Sequence, residues 1–196
     1  MTAAELEAIV AKVCADDLTK LNWNELKAVV KRLQHGLTGI RLSNKDSFVA
    51  IIEELNRAYP LLQTIFWMMH HSVDKVDSHQ DSELLSGLLN CCISLTFGKE
   101  VAFSKKAIDE PEIVKIMLKL TNIPETRNYA LALIQNLMAD NCGWSERFVK
   151  EGLLYWIAQI LTKVEYPQIM QHHVSIYYIL HFIRPSKALA QPVLEV

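Results

Sequence analysis

The chain has 196 residues, 51% hydrophobic and 21% charged, so it can bury a core and is not expected to be disordered. Its 20 basic and 22 acidic residues give a net charge of -2 and are mixed along the chain, which argues against a nucleic-acid-binding protein. The N-terminus lacks a basic leader followed by an apolar run, and no stretch of about 18 apolar residues occurs, so neither a secretory signal nor a membrane span is expected.

The cysteine pattern indicates the compartment. The four cysteines are Cys14, Cys91, Cys92 and Cys142. Because adjacent cysteines in an apolar helix do not pair readily with each other, we expect all four to be reduced thiols. Reduced thiols in a chain without a leader predict a cytoplasmic or nuclear protein.

The chain is predicted to be all-α. Apolar residues recur three and four positions apart in most blocks, and no alternating β-branched run predicts a strand. The predicted helices cover approximately 3–15, 24–34, 43–57, 61–73, 81–97, a short segment near 103, 111–120, 124–138, a short segment near 148, 153–161 and 167–183. Gly36 and Gly39 are expected to end the second helix, and Ser43 or Asn44 to cap the third.

The sequence repeats with a period near 45 residues. Phe103 aligns with Phe148, 45 positions later, and Asn90 aligns with Asn136, 46 positions later. His181 takes the same place in the last block, 45 positions after Asn136. Such a period is typical of arrays of helical HEAT and armadillo repeats.

The chain resembles the armadillo-repeat family. The resemblance rests on "FVKEG" in a short first helix, "LLYWIAQIL" in a second and "ALIQNLM" in a third. It implies a right-handed α-solenoid of armadillo-like repeats over 60–185, in which each repeat buries its apolar faces against its neighbours. Residues 1–59 are then an N-terminal helical cap or a degenerate repeat, and residues 186–196 are a C-terminal tail.

The resemblance also implies a partner-binding stripe. In armadillo proteins the third helices line a concave groove, where an Asn amide can donate to and accept from a peptide backbone. The corresponding residues here are Ser86, Asn90, Asn128, Asn136, His173, Tyr177 and His181. Importin-type arrays carry Trp one turn before the Asn, but this chain has Ser86, Ala132 and Tyr177 there, so recognition of a basic import signal is not expected. The alternative is that these polar residues only mark the solvated side of each helix.

Catalytic and metal-binding interpretations have little support in the sequence. The pairs His70–His71 and His172–His173 point about 100° apart on a helix. No CxxC or HExxH motif accompanies them, so we interpret them as partly exposed side chains and expect no metal or cofactor. Cys142 has no neighbouring base that would activate a nucleophile. The chain is therefore not expected to be an enzyme.

The predicted function is a non-catalytic scaffold or adaptor that binds a peptide or helix of another protein. The first alternative is an oligomerisation or complex-core subunit that uses the ends of the array. It arises because the last helix carries Ile176, Ile179 and Ile183, which require a cover from the tail, a second copy or another protein. A chaperone cofactor is the second alternative, since short armadillo arrays can grip a nucleotide-binding domain. Neither a nucleic acid nor a membrane is expected as a partner.

Overall fold

The computed structural model describes residues 2–15, 20–43, 46–73, 79–96, 111–139, 143–163 and 166–183. These segments contain ten helices and no strand, which confirms the all-α prediction. The helices are α1 (Ala3–Ala15), α2 (Trp23–Ser43), α3 (Phe48–Ala58), α4 (Leu61–Val73), α5 (His79–Leu95), α6 (Pro111–Leu120), α7 (Pro124–Met138), α8 (Trp144–Lys150), α9 (Leu153–Lys163) and α10 (Tyr166–Ile183). The predicted helix near Phe103, the residue Cys142 and the predicted tail lie outside the described residues.

The chain divides into two compact units, Met1–Asp109 and Glu110–Val196. In the first unit α2 packs along α5, α1 contacts α2 and α4, and α4 packs against α5. In the second unit α7 packs along α10, while α6 contacts α7 and α8 contacts α9. The predicted boundaries at 59 and 185 stay predictions.

The first two helices begin with reciprocal side-chain caps. The backbone N–H of Thr2 donates to Glu5 Oε2 over 2.6 Å, and the N–H of Glu5 donates to Thr2 Oγ1 over 3.2 Å. Asn22 and Glu25 exchange the same two bonds at the start of α2. Each pair satisfies backbone donors that a helix cannot satisfy internally, which fixes where α1 and α2 begin.

The second helix is longer than predicted. Gly36 and Gly39 were expected to end it, but α2 continues through both to Ser43. Two interior glycines cost about 1 kcal/mol each in helix propensity. The apolar spacing nevertheless continues through Leu37 and Ile40, which are both buried, so core packing outweighs the local cost.

Two predicted helix starts are also wrong by a few residues. Ser43 ends α2 instead of capping α3, and α3 begins at Phe48 after Ser47, which makes no side-chain cap bond. The helix predicted from 81 begins at His79 and ends at Leu95. A polar loop contains several residues that could each cap a helix. The sequence therefore predicts helix ends less precisely than it predicts the buried apolar faces.

Left-handed glycines separate the last short helices. Gly143, with φ 79°, precedes α8, and Gly152, with φ 90°, lies between α8 and α9. Residues with a side chain rarely adopt a backbone conformation with positive φ, so glycine is favoured at both turns. The turns bring Trp144 and Phe148 into the core of the second unit, with ring centroids 5.9 Å apart.

Gly87 sets the approach of α5 to α2. A Cβ added there would lie 2.9 Å from Val30 Cγ1, which is closer than packed carbon atoms tolerate. Val30 is β-branched and stiff at χ1, so it cannot move aside easily. The absence of a side chain at Gly87 therefore allows the two helices to pack closely.

We predict that Gly87→Ala lowers the free energy of unfolding by roughly 1–3 kcal/mol, because the new methyl overpacks the α2–α5 contact. Urea denaturation followed by circular dichroism measures the change. In a Val30→Ala background the clash is absent, so Gly87→Ala should then be neutral or stabilising, as expected from helix propensity. A substitution that stabilises the chain in both backgrounds would show that α2 and α5 are farther apart.

Candidate partner-binding surface

The predicted stripe residues fall in both units and are described separately. Ser86 and Asn90 lie on α5 and are half-buried. Asn128 and Asn136 lie on α7, where the first is exposed and the second half-buried. The residues predicted on the last helix are all exposed on α10: His173, Tyr177 and His181.

The outward side of α10 is an exposed apolar surface of the second unit. We name it the α10 outer face; its exposed side chains are His173, Val174, Tyr177, Tyr178, Leu180 and His181. No Asp, Glu, Lys or Arg occurs between residues 166 and 183. A contiguous aromatic and aliphatic surface without formal charge is typical of an interaction site and not of a solvated helix face.

The rings on this face are ordered against one another. Tyr177 stacks on His181 one turn later, with ring centroids 6.4 Å apart and planes 15° apart. Tyr177 also meets Tyr178 edge-on at 5.6 Å. The Tyr177 side chain is nevertheless 66% exposed, so a large part of its ring is accessible to a partner.

The isoleucines of α10 do not form this surface. Ile176, Ile179 and Ile183, for which a cover by the tail, a second copy or another protein was predicted, are buried. Their helical spacing places them on the side of α10 that packs against the rest of the unit, including α7. The exposed residues that the isoleucine pattern missed are Val174, Tyr178 and Leu180. Both sides of α10 are apolar, so the spacing of the isoleucines does not show that these three residues are exposed.

A histidine–asparagine hydrogen bond joins α7 and α10. His172 Nδ1 donates to Asn128 Oδ1, so one acceptor position of the Asn128 amide is used within the protein. His172 is only 3% exposed, and the expectation of partly exposed histidines is therefore wrong at this position. His173, its neighbour, is exposed as expected.

The surroundings of His172 disfavour its charged form. Burial lowers the pKa of His172, and the nearby positive charge of Arg127 lowers it further. Arg127 is itself buried, where its Nε donates to the Thr121 carbonyl over 2.8 Å and holds the turn before α7. The α7–α10 contact thus contains a neutral histidine beside a fixed guanidinium.

The first unit contains a groove between α2 and α5 that was not predicted from the sequence. It has a volume of about 470 Å³ and is lined on the α5 side by Glu83, Leu84 and Gly87. Asn90 lies on the same face of α5 as Gly87, one turn later. Ser82, one turn before Ser86, is buried and not available to a partner. The groove was not predicted because it depends on a glycine contact across two helices distant in sequence.

Cys91 and Cys92 are buried free thiols on α5. Burial raises the pKa of Cys91 to about 12, and burial with the adjacent Cys91 raises the pKa of Cys92 well above its ordinary value. A nucleophilic cysteine requires the opposite shift. Cys142 lies outside the described residues.

Within the described segments no three His, Cys, Asp or Glu side chains are grouped to hold a metal ion. No described helix combines the length and apolar character needed to cross a membrane.

We predict that acidification destabilises the α7–α10 contact through His172. Because its pKa is lowered, His172 takes up a proton at a lower pH in the folded chain than in the unfolded chain, where its pKa is about 6.5. The stability that it contributes is therefore complete above pH 6.5 and decreases as the pH falls below that value. Thermal unfolding at pH 7.5 and 5.5 should show a larger drop in Tm for the wild type than for His172→Gln. Equal drops in the two proteins would contradict this assignment.

Comparisons of this chain with protein-family models, with curated proteins and with solved structures found no match. The armadillo resemblance stays an expectation drawn from the sequence. We therefore infer function from the side chains on α2, α5, α7 and α10.

Proposed function

We propose that the chain is a non-catalytic scaffold or adaptor that binds a peptide or helix of another protein. The observation that carries this proposal is the α10 outer face. It presents accessible aromatic and aliphatic side chains without any formal charge. Large rings with polar edges are the side chains that most often dominate binding energy at protein interfaces.

The chemistry of binding combines two kinds of contact. Tyr177 and its neighbours Val174 and Leu180 supply apolar area that a partner side chain can bury. His173 and His181 are exposed on the same helix and can donate to or accept from a peptide backbone. On α7, Asn136 carries a half-buried side-chain amide.

The finer fold proposed is a right-handed solenoid of armadillo-like repeats. It is supported by a packing pattern that recurs in each unit, where one long helix packs along another: α2 on α5, and α7 on α10. In an armadillo array, consecutive third helices make this kind of contact. The helices α1 and α2 then correspond to the end of a degenerate first repeat, because α1 contacts α4 as α2 contacts α5.

We predict that Tyr177→Ala combined with His181→Ala weakens peptide binding at least about tenfold, since it removes a central aromatic anchor worth about 1.4 kcal/mol or more. Peptides are first selected on the wild-type chain from a random display library, and their affinities are then measured by calorimetry. Tyr155→Ala is the matched control, because Tyr155 lies on α9 and is 64% exposed, close to the exposure of Tyr177. Equal losses in both variants, or none in either, would contradict binding at the α10 outer face.

Self-association is the second candidate function, and the same face favours it. An exposed apolar helix side can be covered by a second copy of the chain. Tyr178 and Leu180, each 42% exposed, would then lie at a contact between copies. Binding of a foreign peptide and binding of a second copy would compete for this surface.

Sedimentation velocity between about 1 and 100 µM, which brackets a typical micromolar interface, decides whether copies associate. If self-association is the function, the wild type forms dimers in this range and Tyr178→Glu stays monomeric, because a carboxylate would be desolvated in the contact. Tyr155→Glu serves as the control on α9. A wild type that is monomeric throughout the range rules this candidate out.

A further inference from the structure

The groove between α2 and α5 has a chemistry of its own. It lies within the first unit and has a volume of about 470 Å³, in the range of about 300–1,000 Å³ that is usual for ligand sites. Gly87 leaves the α5 wall without a side chain at the point where Val30 approaches it. Leu84 and Val30 give this part of the groove an apolar floor.

A row of basic side chains forms the other wall. Lys27, Lys31 and His35 follow one another at one-turn intervals on α2 and all line the groove. Neither lysine forms a salt bridge with a residue that the structure describes. Glu83 is the one carboxylate among the described residues lining the groove, so the lysines outnumber the acidic groups beside them.

The spacing of this row fits an extended chain. Side chains one turn apart on a helix are about 5–6 Å apart at Cβ. Alternate residues of an extended peptide are about 6.6 Å apart and point to the same side. Two carboxylates at positions i and i+2 can therefore reach Lys27 and Lys31, while the residue between them points toward the α5 wall.

We propose that the α2–α5 groove binds an acidic segment of a partner protein, in which Asp or Glu side chains pair with Lys27 and Lys31 and the residue between them faces α5. This inference rests on the proposed function, because it specifies the partner of a peptide-binding protein. A nucleic acid is disfavoured as the occupant, since the chain as a whole carries a charge of -2 and its basic residues are mixed with acidic ones.

The test compares peptides selected from one random 12-residue display library on three full-length proteins. These are the wild type, the variant Lys27→Glu with Lys31→Glu, and the matched control Lys115→Glu with Lys119→Glu. The control lysines are one turn apart like Lys27 and Lys31 and are exposed, but lie on α6 in the other unit. Circular dichroism establishes that all three are folded before selection.

The expected result is that Asp and Glu are enriched in the peptides selected on the wild type and on the control, but not on the Lys27/Lys31 variant. The most enriched acidic peptide should bind that variant at least about fivefold more weakly and should lose affinity with added NaCl, because exposed charges are screened. Its version with Gln at each acidic position should bind all three proteins equally weakly.

Three outcomes would overturn parts of the account separately. If the wild type selects no peptides, the proposed function fails. If it selects peptides whose acidity does not depend on Lys27 and Lys31, only the groove assignment fails. If labelled polyuridylate binds the wild type as tightly as the acidic peptide and is lost in the same variant, the row is a general polyanion site, and the assignment to an acidic protein segment is wrong.

Discussion

Each unit depends on the packing of one long helix along another, α2 on α5 and α7 on α10. Burial of an aliphatic side chain such as Ile179 contributes about 1.5–3 kcal/mol, and several residues of each helix are buried in this way. These contacts leave the opposite side of α10 accessible. The candidate surfaces therefore exist because the core uses only one side of α10 and brings α2 close to α5 only where Gly87 permits it.

The sequence predicted the helices well where apolar spacing and proline agree. α4, α6 and α7 have the predicted bounds, because Pro60, Pro111 and Pro124 mark the first turn and the apolar face continues to the end. The error at Gly36 and Gly39 has a physical cause. Local helix propensity favours a break at these glycines, but the burial of Leu37 and Ile40 stabilises a continued helix. This stabilisation comes from tertiary contacts, which the local sequence does not show.

The candidate surface was predictable only in part. The exposure of His173, Tyr177 and His181 agrees with the predicted stripe, since these residues share one face by helical spacing. Burial of His172 and the α2–α5 groove were not predictable, because both depend on contacts between helices far apart in sequence.

The central claim is that the α10 outer face contacts a partner. Hydrogen–deuterium exchange of the full chain, with and without a selected peptide that still binds the Lys27→Glu, Lys31→Glu variant, tests this claim most directly. The account predicts slower exchange over 173–181 of α10 on peptide addition, and no change around Tyr155 of α9. Protection confined to other helices would contradict the account, and so would the same protection in a concentrated sample without peptide, which would assign this face to a second copy of the chain.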